Sequence, residues 1–197
     1  MTKTITLLTL CLLGFNSCQD IPLNFTYNEE VMAEIEAVLT AVIETDPITT
    51  QFPDFQIYSI MPIYKTGNPQ PDRPPGPDLI GPVEFPDLTA EFKPVQNIKL
   101  SERDLDFFEL QLSVSKGLNV SLPQYGDKVI VNHNELFKKQ DFAYIAFSTP
   151  LFSADMDIAW VRTTTACGYL CGEGKSVILQ KQNGHWEKVY EHLNWKN

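Results

Sequence analysis

Residues 157–192 read DIAWVRTTTACGYLCGEGKSVILQKQNGHWEKVYEH, and this stretch decides the fold. It holds three runs rich in aromatic and β-branched residues, a composition typical of strands. The last two runs are separated by Asn183-Gly184, and because both central positions of a type I′ turn need positive φ, this dipeptide predicts a tight hairpin. With the similar run upstream, the pattern predicts an antiparallel meander of four strands at 142–148, 157–165, 175–182 and 185–192.

Two amphipathic helices are predicted upstream of the meander. In residues 28–45 apolar side chains recur at 3.6-residue spacing, and Thr26 with Glu29 matches the capping-box pattern. Residues 101–116 repeat the helical pattern, with Ser101 as the N-cap. We therefore expect an α+β fold in which both helices cover one face of the four-stranded meander.

The segment between the two helices is predicted to be mostly irregular. Residues 55–64 form a strand that Met61-Pro62 interrupts, which predicts an edge strand or a strand in two pieces. Residues 68–95 are a proline-rich loop, because proline removes a backbone donor and restricts φ. After the second helix, residues 129–131 form a short apolar run, and one or two helical turns are expected at 135–140.

The composition describes one globular domain. The chain has 197 residues, 43% of them hydrophobic, which is enough apolar surface for a core and excludes disorder throughout. Its 15 Lys and Arg stand against 25 Asp and Glu, giving a formal charge of −10. Binding to a phosphate backbone requires clustered positive charge, so nucleic acid is excluded as an expected partner.

The N-terminus carries an export signal. Lys3 precedes an apolar run at residues 5–13, which is shorter than the about 20 residues of a transmembrane helix and is typical of a secretory signal peptide. Residues 13–18, LGFNSC, resemble a lipobox, in which the cysteine of a bacterial lipoprotein is acylated with palmitate or a related fatty acid. A plain signal peptide cut nearby is the alternative. The expected division is a signal peptide at 1–17, a tether at 18–27 lipidated at Cys18, and a single domain at 28–197.

The anchor sets the expected location and partner. The membrane is contacted through the lipid, because an acidic domain is repelled by an anionic bilayer surface. Asp20 lies two residues after the lipidated cysteine. By analogy with lipoprotein sorting, that position favours the outer membrane of the bacterial envelope.

Cys167 and Cys171 form the main chemical candidate. Two thiols in an oxidising compartment favour a disulfide, and the glycines between and after them permit the tight turn that this disulfide needs. Redox catalysis is a weaker alternative, because catalytic dithiols usually lie at a helix N-terminus and these flanks predict strands. Metal binding would need His185 and His192, which a regular strand directs to opposite faces, so no metal is expected.

Other chemistry is less well supported by the sequence. The acidic pairs Asp104 with Asp106 and Glu29 with Glu30 are expected on helix surfaces. The common hydrolase and nucleotide-binding motifs are absent from the sequence, and no cofactor is expected. Aromatic side chains of the meander are expected in the core and not in a ligand groove; they are Trp160, Trp186 and Tyr190.

The C-terminal part of the chain resembles a group of uncharacterised small bacterial envelope lipoproteins. The residues that carry the resemblance lie in 145–195, together with the Ser-x-x-Asp start at 101–112. They are Phe147-Ser148, Pro150, Phe152-Ser153, Cys167-Gly168-Tyr169-Leu170-Cys171-Gly172, Asn183-Gly184, Trp186 and Trp195. The resemblance implies location and fold, and it carries no catalytic residue across.

Function is therefore expected only in outline. We expect a membrane-anchored envelope lipoprotein that acts as a non-enzymatic binding or interaction module for an unknown envelope protein or ligand. The alternative is an envelope enzyme, either a hydrolase or a thiol-redox protein that uses Cys167 and Cys171.

Overall fold

The computed structural model has an α+β fold, as the sequence predicts. It describes residues 24–61, 63–64, 83–84, 87–115, 118, 120, 122–130, 143–167 and 171–196. The helices are α1 (Glu29–Thr45), α2 (Ile48–Gln51), α3 (Leu88–Phe92) and α4 (Glu102–Ser113), with a 3₁₀ segment at Pro123–Lys128. The strands are β1 (Gln56–Met61), β2 (Ile63–Tyr64), β3 (Val83–Glu84), β4 (Val129–Ile130), β5 (Ala143–Ser148), β6 (Leu151–Phe152), β7 (Ile158–Cys167), β8 (Gly172–Gln182) and β9 (His185–Lys196).

The main sheet is mixed and larger than the sequence predicts. In the described part of the chain its order is β4-β1-β5-β7-β8-β9, with the short β6 also paired to β7. The C-terminal strands β5, β7, β8 and β9 pair antiparallel, whereas β1 runs parallel to both β4 and β5. The 55–64 segment is in two pieces, as predicted, but its first piece is not an edge strand. Its backbone groups are shared between β4 and β5, a tertiary pairing that periodicity along one strand does not encode.

The hairpin between β8 and β9 forms at Asn183-Gly184. Both residues have positive φ, 52° and 83°, as the predicted turn requires. The strands on either side are 11 and 12 residues long, so both extend beyond the predicted ends. The register between β8 and β9 shifts twice along the pair. Such bulges change the face of the sheet from which the following side chains project.

The predicted helices cover opposite faces of the sheet, so the expectation of one covered face is wrong. On β7 and β8 the side chains alternate between two cores. Odd-numbered residues such as Val161 and Leu179 pack with α1, and even-numbered residues such as Trp160 and Ile178 pack with α3 and α4. We call these the α1 face and the α4 face. The burial of β8 on both faces explains its continuous apolar run at residues 177–179.

The N-cap of helix α1 lies two residues after the predicted cap. Asn28 is its N-cap, and the side-chain oxygen of Asn28 accepts a hydrogen bond from the N–H of Val31 at 2.9 Å. The predicted Thr26–Glu29 capping box is therefore wrong. Within the predicted tether, Phe25 is buried and packs edge-on against Phe107 of α4.

Helix α4 begins at the predicted cap and ends three residues early. Ser101 and Asp104 form a capping box with reciprocal hydrogen bonds. The helix ends at Ser113, before the predicted Lys116. The fully buried Gln111 amide joins the helix to β6, donating to the carbonyl of Phe152 at 2.7 Å and accepting from its N–H at 2.9 Å.

The predicted loop at 68–95 contains regular structure at its C-terminal end. Helix α3 lies inside it, capped by Asp87, and β3 pairs in parallel with β2 as a separate two-stranded sheet. Residues 68–82 lie outside the described residues, as do the helical turns expected at 135–140. Helix α3 exists because Leu88 and Phe92 are buried on the α4 face, an interaction that proline content does not reveal.

Candidate functional site

Four charged side chains meet at one end of the α1 face, two of them buried (Asp46 and Lys175) and two more accessible (Glu173 and Glu191); we call them the Lys175 cluster. The Lys175 side chain is only 9% exposed. Its Nζ contacts Glu173 directly and lies 3.9 Å from both Asp46 Oδ2 and Glu191 Oε1. Three carboxylates thus surround one buried ammonium group. Buried charges need such partners, because removal from water penalises them strongly.

The elements position this cluster by simple geometry. Glu173 and Lys175 are two residues apart on β8, so their side chains share the α1 face with Val177. Glu191 of β9 pairs with Val177 of β8, so the side chain of Glu191 projects from the same face. Asp46 follows the last residue of α1, where Pro47 ends the helix.

The surroundings shift the pKa values of the cluster. Burial raises the pKa of Asp46, and the hydrogen bond from Ile48 and the charge of Lys175 offset this only in part. Burial also lowers the pKa of Lys175, but the hydrogen bond with Glu173 and the charges of Asp46 and Glu191 outweigh it, so the pKa is raised overall. Desolvation likewise opposes the charge of Glu191, yet the hydrogen bond from Lys188 and the charge of Lys175 leave its pKa below the ordinary value.

A cavity of about 300 Å³ opens beside this cluster, at the α1–α2 corner. We call it the corner cavity. Asp46 and Glu173 of the Lys175 cluster line it, so the charges are accessible from one side. The other lining residues are Pro47, Ile48, Gln51, Phe52, Thr165, Ala166, Cys167, Cys171, Gly172 and Lys196.

The two predicted disulfide cysteines line the corner cavity. Cys167 ends β7, Cys171 immediately precedes β8, and their Cα atoms are 5.1 Å apart, within the range that a disulfide requires. The N–H of Cys167 donates to the carbonyl of Cys171 at 3.0 Å. The flanking elements are strands, as expected, and not the helix N-terminus that lowers the thiol pKa in dithiol catalysts.

The predicted histidine geometry is wrong in one respect. The register pairs His185 with Gln182 and His192 with Ser176, whose side chains both lie on the α4 face. Both imidazoles therefore project from the α4 face. A bulge between the Ile178 and Leu179 pairs shifts the alternation by one residue. The two histidines are still seven positions apart along β9, a distance of about 20 Å. No group of three metal-ligating side chains occurs among the described residues, and His133 lies outside them.

The other candidate side chains have structural positions. Trp160 and Trp186 are buried in the cores of opposite faces, and Tyr190 packs against the α4-face core, which confirms the core interpretation. Desolvation raises the pKa of Asp104, but hydrogen bonds from Ser101 and from the N–H of Ala154 outweigh it and leave the pKa lowered. Asp104 is therefore a capping residue and does not form a site with Asp106.

Trp195 lies against two glycines of β8, Gly172 and Gly174, of which Gly172 belongs to the resemblance motif. A side chain at Gly174 would meet the indole Nε1 of Trp195 at 2.1 Å, and one at Gly172 would meet the same ring at 3.3 Å. The indole therefore lies over the backbone of β8 on the α4 face. Glycines at these positions leave room for the ring, and the ring protects the backbone of the strand.

Sequence reasoning missed Asp46 and Lys175 as site residues. The pattern places Asp46 directly after the helix predicted at 28–45, and Lys175 at the start of the strand predicted at 175–182. One signal was present: Lys175 has the same parity as Val177 and Leu179, so strict alternation directs its ammonium toward the core. A buried lysine requires carboxylate partners.

The part of the chain that the structure describes contains no helix long and apolar enough to cross a bilayer.

Known proteins give no information on this site. Comparisons with protein-family models, curated proteins and solved structures find no match to this chain.

Proposed function

We propose that this protein is a lipid-anchored lipoprotein of the bacterial cell envelope, tethered through Cys18, whose folded domain binds a ligand in the corner cavity and is not an enzyme. The observation that carries ligand binding is the cavity itself, in which charged and apolar side chains converge at the α1–α2 corner. Export and anchoring rest on residues 1–18. The cysteine pair at disulfide distance fits an oxidising compartment.

The architecture supports the relation to the lipoproteins that the sequence resembles. We infer that β5, β7, β8 and β9, together with the start of α4, form the unit shared with that group, and that the proline-rich loop at 68–95 lies outside it. The resemblance residues Gly172 and Trp195 are consistent with this, because they contact each other across the last two strands of the unit.

Mass spectrometry of protein purified from its native membrane tests the anchor. We expect a diacylglyceryl group and fatty acid on Cys18, and a mass two hydrogens short in the peptide that spans 167–171. The variant Cys18→Ser is the control and should leave the membrane fraction. An intact N-terminal methionine on soluble protein, with both cysteines reduced, would contradict the proposal.

A thiol-redox enzyme is the second candidate, favoured by one observation. The Cys167–Cys171 pair and the carboxyl of Asp46, whose pKa is raised by burial, line the same cavity. A carboxyl of this kind can exchange protons with a thiol during thiol–disulfide exchange. In that reaction two thiols of a dithiol reductant become a disulfide, while the protein disulfide becomes two thiols.

Replacing Cys167 and Cys171 with serine separates the two candidates. A purely structural disulfide in a loop of about five residues contributes roughly 2 kcal/mol. The binding protein should therefore lose about this much stability and show no change in insulin reduction by dithiothreitol. A redox enzyme should catalyse that reduction, and Cys167→Ser alone should abolish the catalysis.

A further inference from the structure

Among the described residues, only one of the two carboxylate oxygens of Asp46 accepts a hydrogen bond. Its side chain is only 7% exposed, yet it lines the corner cavity. Oδ1 accepts from the N–H of Ile48 at 2.9 Å. Oδ2 lies 3.9 Å from Lys175 Nζ, too far for a hydrogen bond, and accepts none from any described residue. Because Asp46 lines the cavity, Oδ2 is an acceptor for a donor on a molecule that enters it.

The other carboxylates of the Lys175 cluster have closer cations. Glu173 contacts Lys175 directly and lies 3.7 Å from Lys196, while Glu191 accepts from Lys188 at 2.8 Å. Among the described residues, the cation paired with Asp46 is the ammonium of Lys175, 3.9 Å away. Of the three carboxylates, it is therefore the least compensated and the most buried.

The remaining lining favours a ligand with an apolar body. Pro47, Ile48 and Phe52 supply apolar surface beside Asp46, and Ala166 with the cysteine pair lies across the cavity. The volume of about 300 Å³ suits a small molecule. An anionic ligand is less suitable, because Lys196 is 67% exposed and Lys175 is already surrounded by carboxylates.

We propose that the corner cavity binds a small organic cation, a primary amine or guanidine on an apolar body, whose N–H groups donate to Asp46 Oδ2. This inference rests on the proposed ligand-binding function and names its ligand class. The apolar body contacts Ile48 and Phe52, and the cation supplies to Oδ2 a donor that no described residue provides.

Calorimetric titration of the purified full-length protein with three probes tests the ligand class. The probes are 2-phenylethylamine, the neutral 2-phenylethanol and the anionic 3-phenylpropionate, in a buffer without amines. We expect saturable binding of the amine that is at least about tenfold tighter than that of either other probe, a difference of about 1.4 kcal/mol.

Two charge-removing variants locate the binding. Asp46→Asn keeps the oxygen that accepts from Ile48 and should weaken amine binding at least about tenfold. Glu187→Gln removes an exposed charge on the α4 face and should leave binding unchanged. Equal amine affinity of the Asp46→Asn and native proteins would overturn the inference.

A third variant separates the ligand class from the proposed function. If amine and alcohol bind equally and Phe52→Ala weakens both, the cavity binds ligands but the cation class is wrong. If 3-phenylpropionate binds most tightly, the cavity prefers anions and the proposed cationic ligand class is wrong. If no probe binds, the inference and the proposed cavity function both fail, while lipidation at Cys18 is decided by its own experiment.

Discussion

At the start of β8 the two faces of the strand differ in what covers them. On the α1 face, Glu173 and Lys175 form a buried charge cluster beside a cavity. On the α4 face, Gly172 and Gly174 carry no side chain, and the indole of Trp195 covers the backbone. Adjacent residues of one strand thus belong to two different environments. The comparison teaches that parity along the strand decides which residues can form a site.

The two faces also hold their helices differently. Helix α1 packs through a stripe of aliphatic side chains that includes Ile35 and Leu39. Helix α4 adds a polar connection, because Gln111 pairs with both backbone groups of Phe152 in β6. Helix α1 also has polar contacts with the sheet, because Glu34 accepts hydrogen bonds from Lys181 and from the indole N–H of Trp186. Those contacts are only partly buried, whereas the hydrogen bonds of Gln111 are buried.

Truncating adjacent core residues of β8 tests whether both faces are buried. Ile178→Ala and Leu179→Ala remove fully buried side chains from the α4 face and the α1 face. Each should lower the free energy of unfolding by about 2 to 5 kcal/mol, because each loses apolar burial and leaves a cavity. Chemical denaturation measures this. A near-neutral result for one of them would mean that only one face is covered.

Replacing Gln111 tests the polar attachment of α4. Gln111→Leu leaves the N–H and carbonyl of Phe152 without their side-chain partner, and each unsatisfied buried group costs about 1 to 3 kcal/mol. We expect a loss of about 2 to 4 kcal/mol in thermal or chemical denaturation. The exposed Gln182 supplies the control, since Gln182→Leu should change stability little. Equal effects of the two variants would show that the hydrogen bonds of Gln111 to Phe152 do not stabilise the protein.

A methyl group at Gly174 tests the aromatic cover of the α4 face. Gly174→Ala places a carbon against the Trp195 indole, and such overpacking costs about 1 to 3 kcal/mol. Gly172→Ala is the matched control and should cost less, because its contact is 3.3 Å. In the double variant with Trp195→Ala, the penalty at position 174 should shrink. Additive losses would show that the indole does not lie over the strand.

The pH dependence of Asp46→Asn tests the charge cluster and has the smallest expected effect. Burial raises the pKa of Asp46 above 3.8, so the folded protein binds this proton more tightly than the unfolded chain does. Stability from Asp46 therefore falls as pH rises through the raised pKa, and the asparagine variant escapes this loss. In an amine-free buffer, the variant should be more stable than the native protein at neutral pH.

That advantage should disappear below pH 3.8, where aspartic acid is protonated in both states. The exposed Asp106 on α4 supplies a control, because Asp106→Asn should show no such pH-dependent gain. A variant that is less stable than the native protein at neutral pH would mean that the attraction of Lys175 outweighs the desolvation of Asp46.

Local signals predicted the elements well. The Asn183-Gly184 turn, the Ser101–Asp104 capping box and the C-terminal strands lie where the sequence places them, because each depends on neighbours within a few residues. Helix α3 was missed, since its formation depends on burial of Leu88 and Phe92 against distant strands. The cap of α1 was misplaced by two residues, because Thr26 and Asn28 both carry suitable side chains and only the chain path selects one.

The sequence predicts only part of the candidate site. The spacing of Cys167 and Cys171 predicted their proximity, since four residues and a tight turn suffice. Asp46 and Lys175 are far apart in sequence, and their meeting depends on the side of the sheet that α1 covers. The face of His192 was likewise mistaken, because a bulge changes the alternation without any clear signal in composition.

The sequence by itself determined the α+β class, the antiparallel C-terminal strands, the hairpin turn and the nearness of two cysteines. These features follow from short-range periodicity and turn chemistry, which act within a few residues. Only the tertiary structure decided that β1 joins the sheet in parallel, that the helices take opposite faces, and that Asp46 meets Lys175. Those arrangements arise from burial between distant segments, and many packings satisfy the same local pattern.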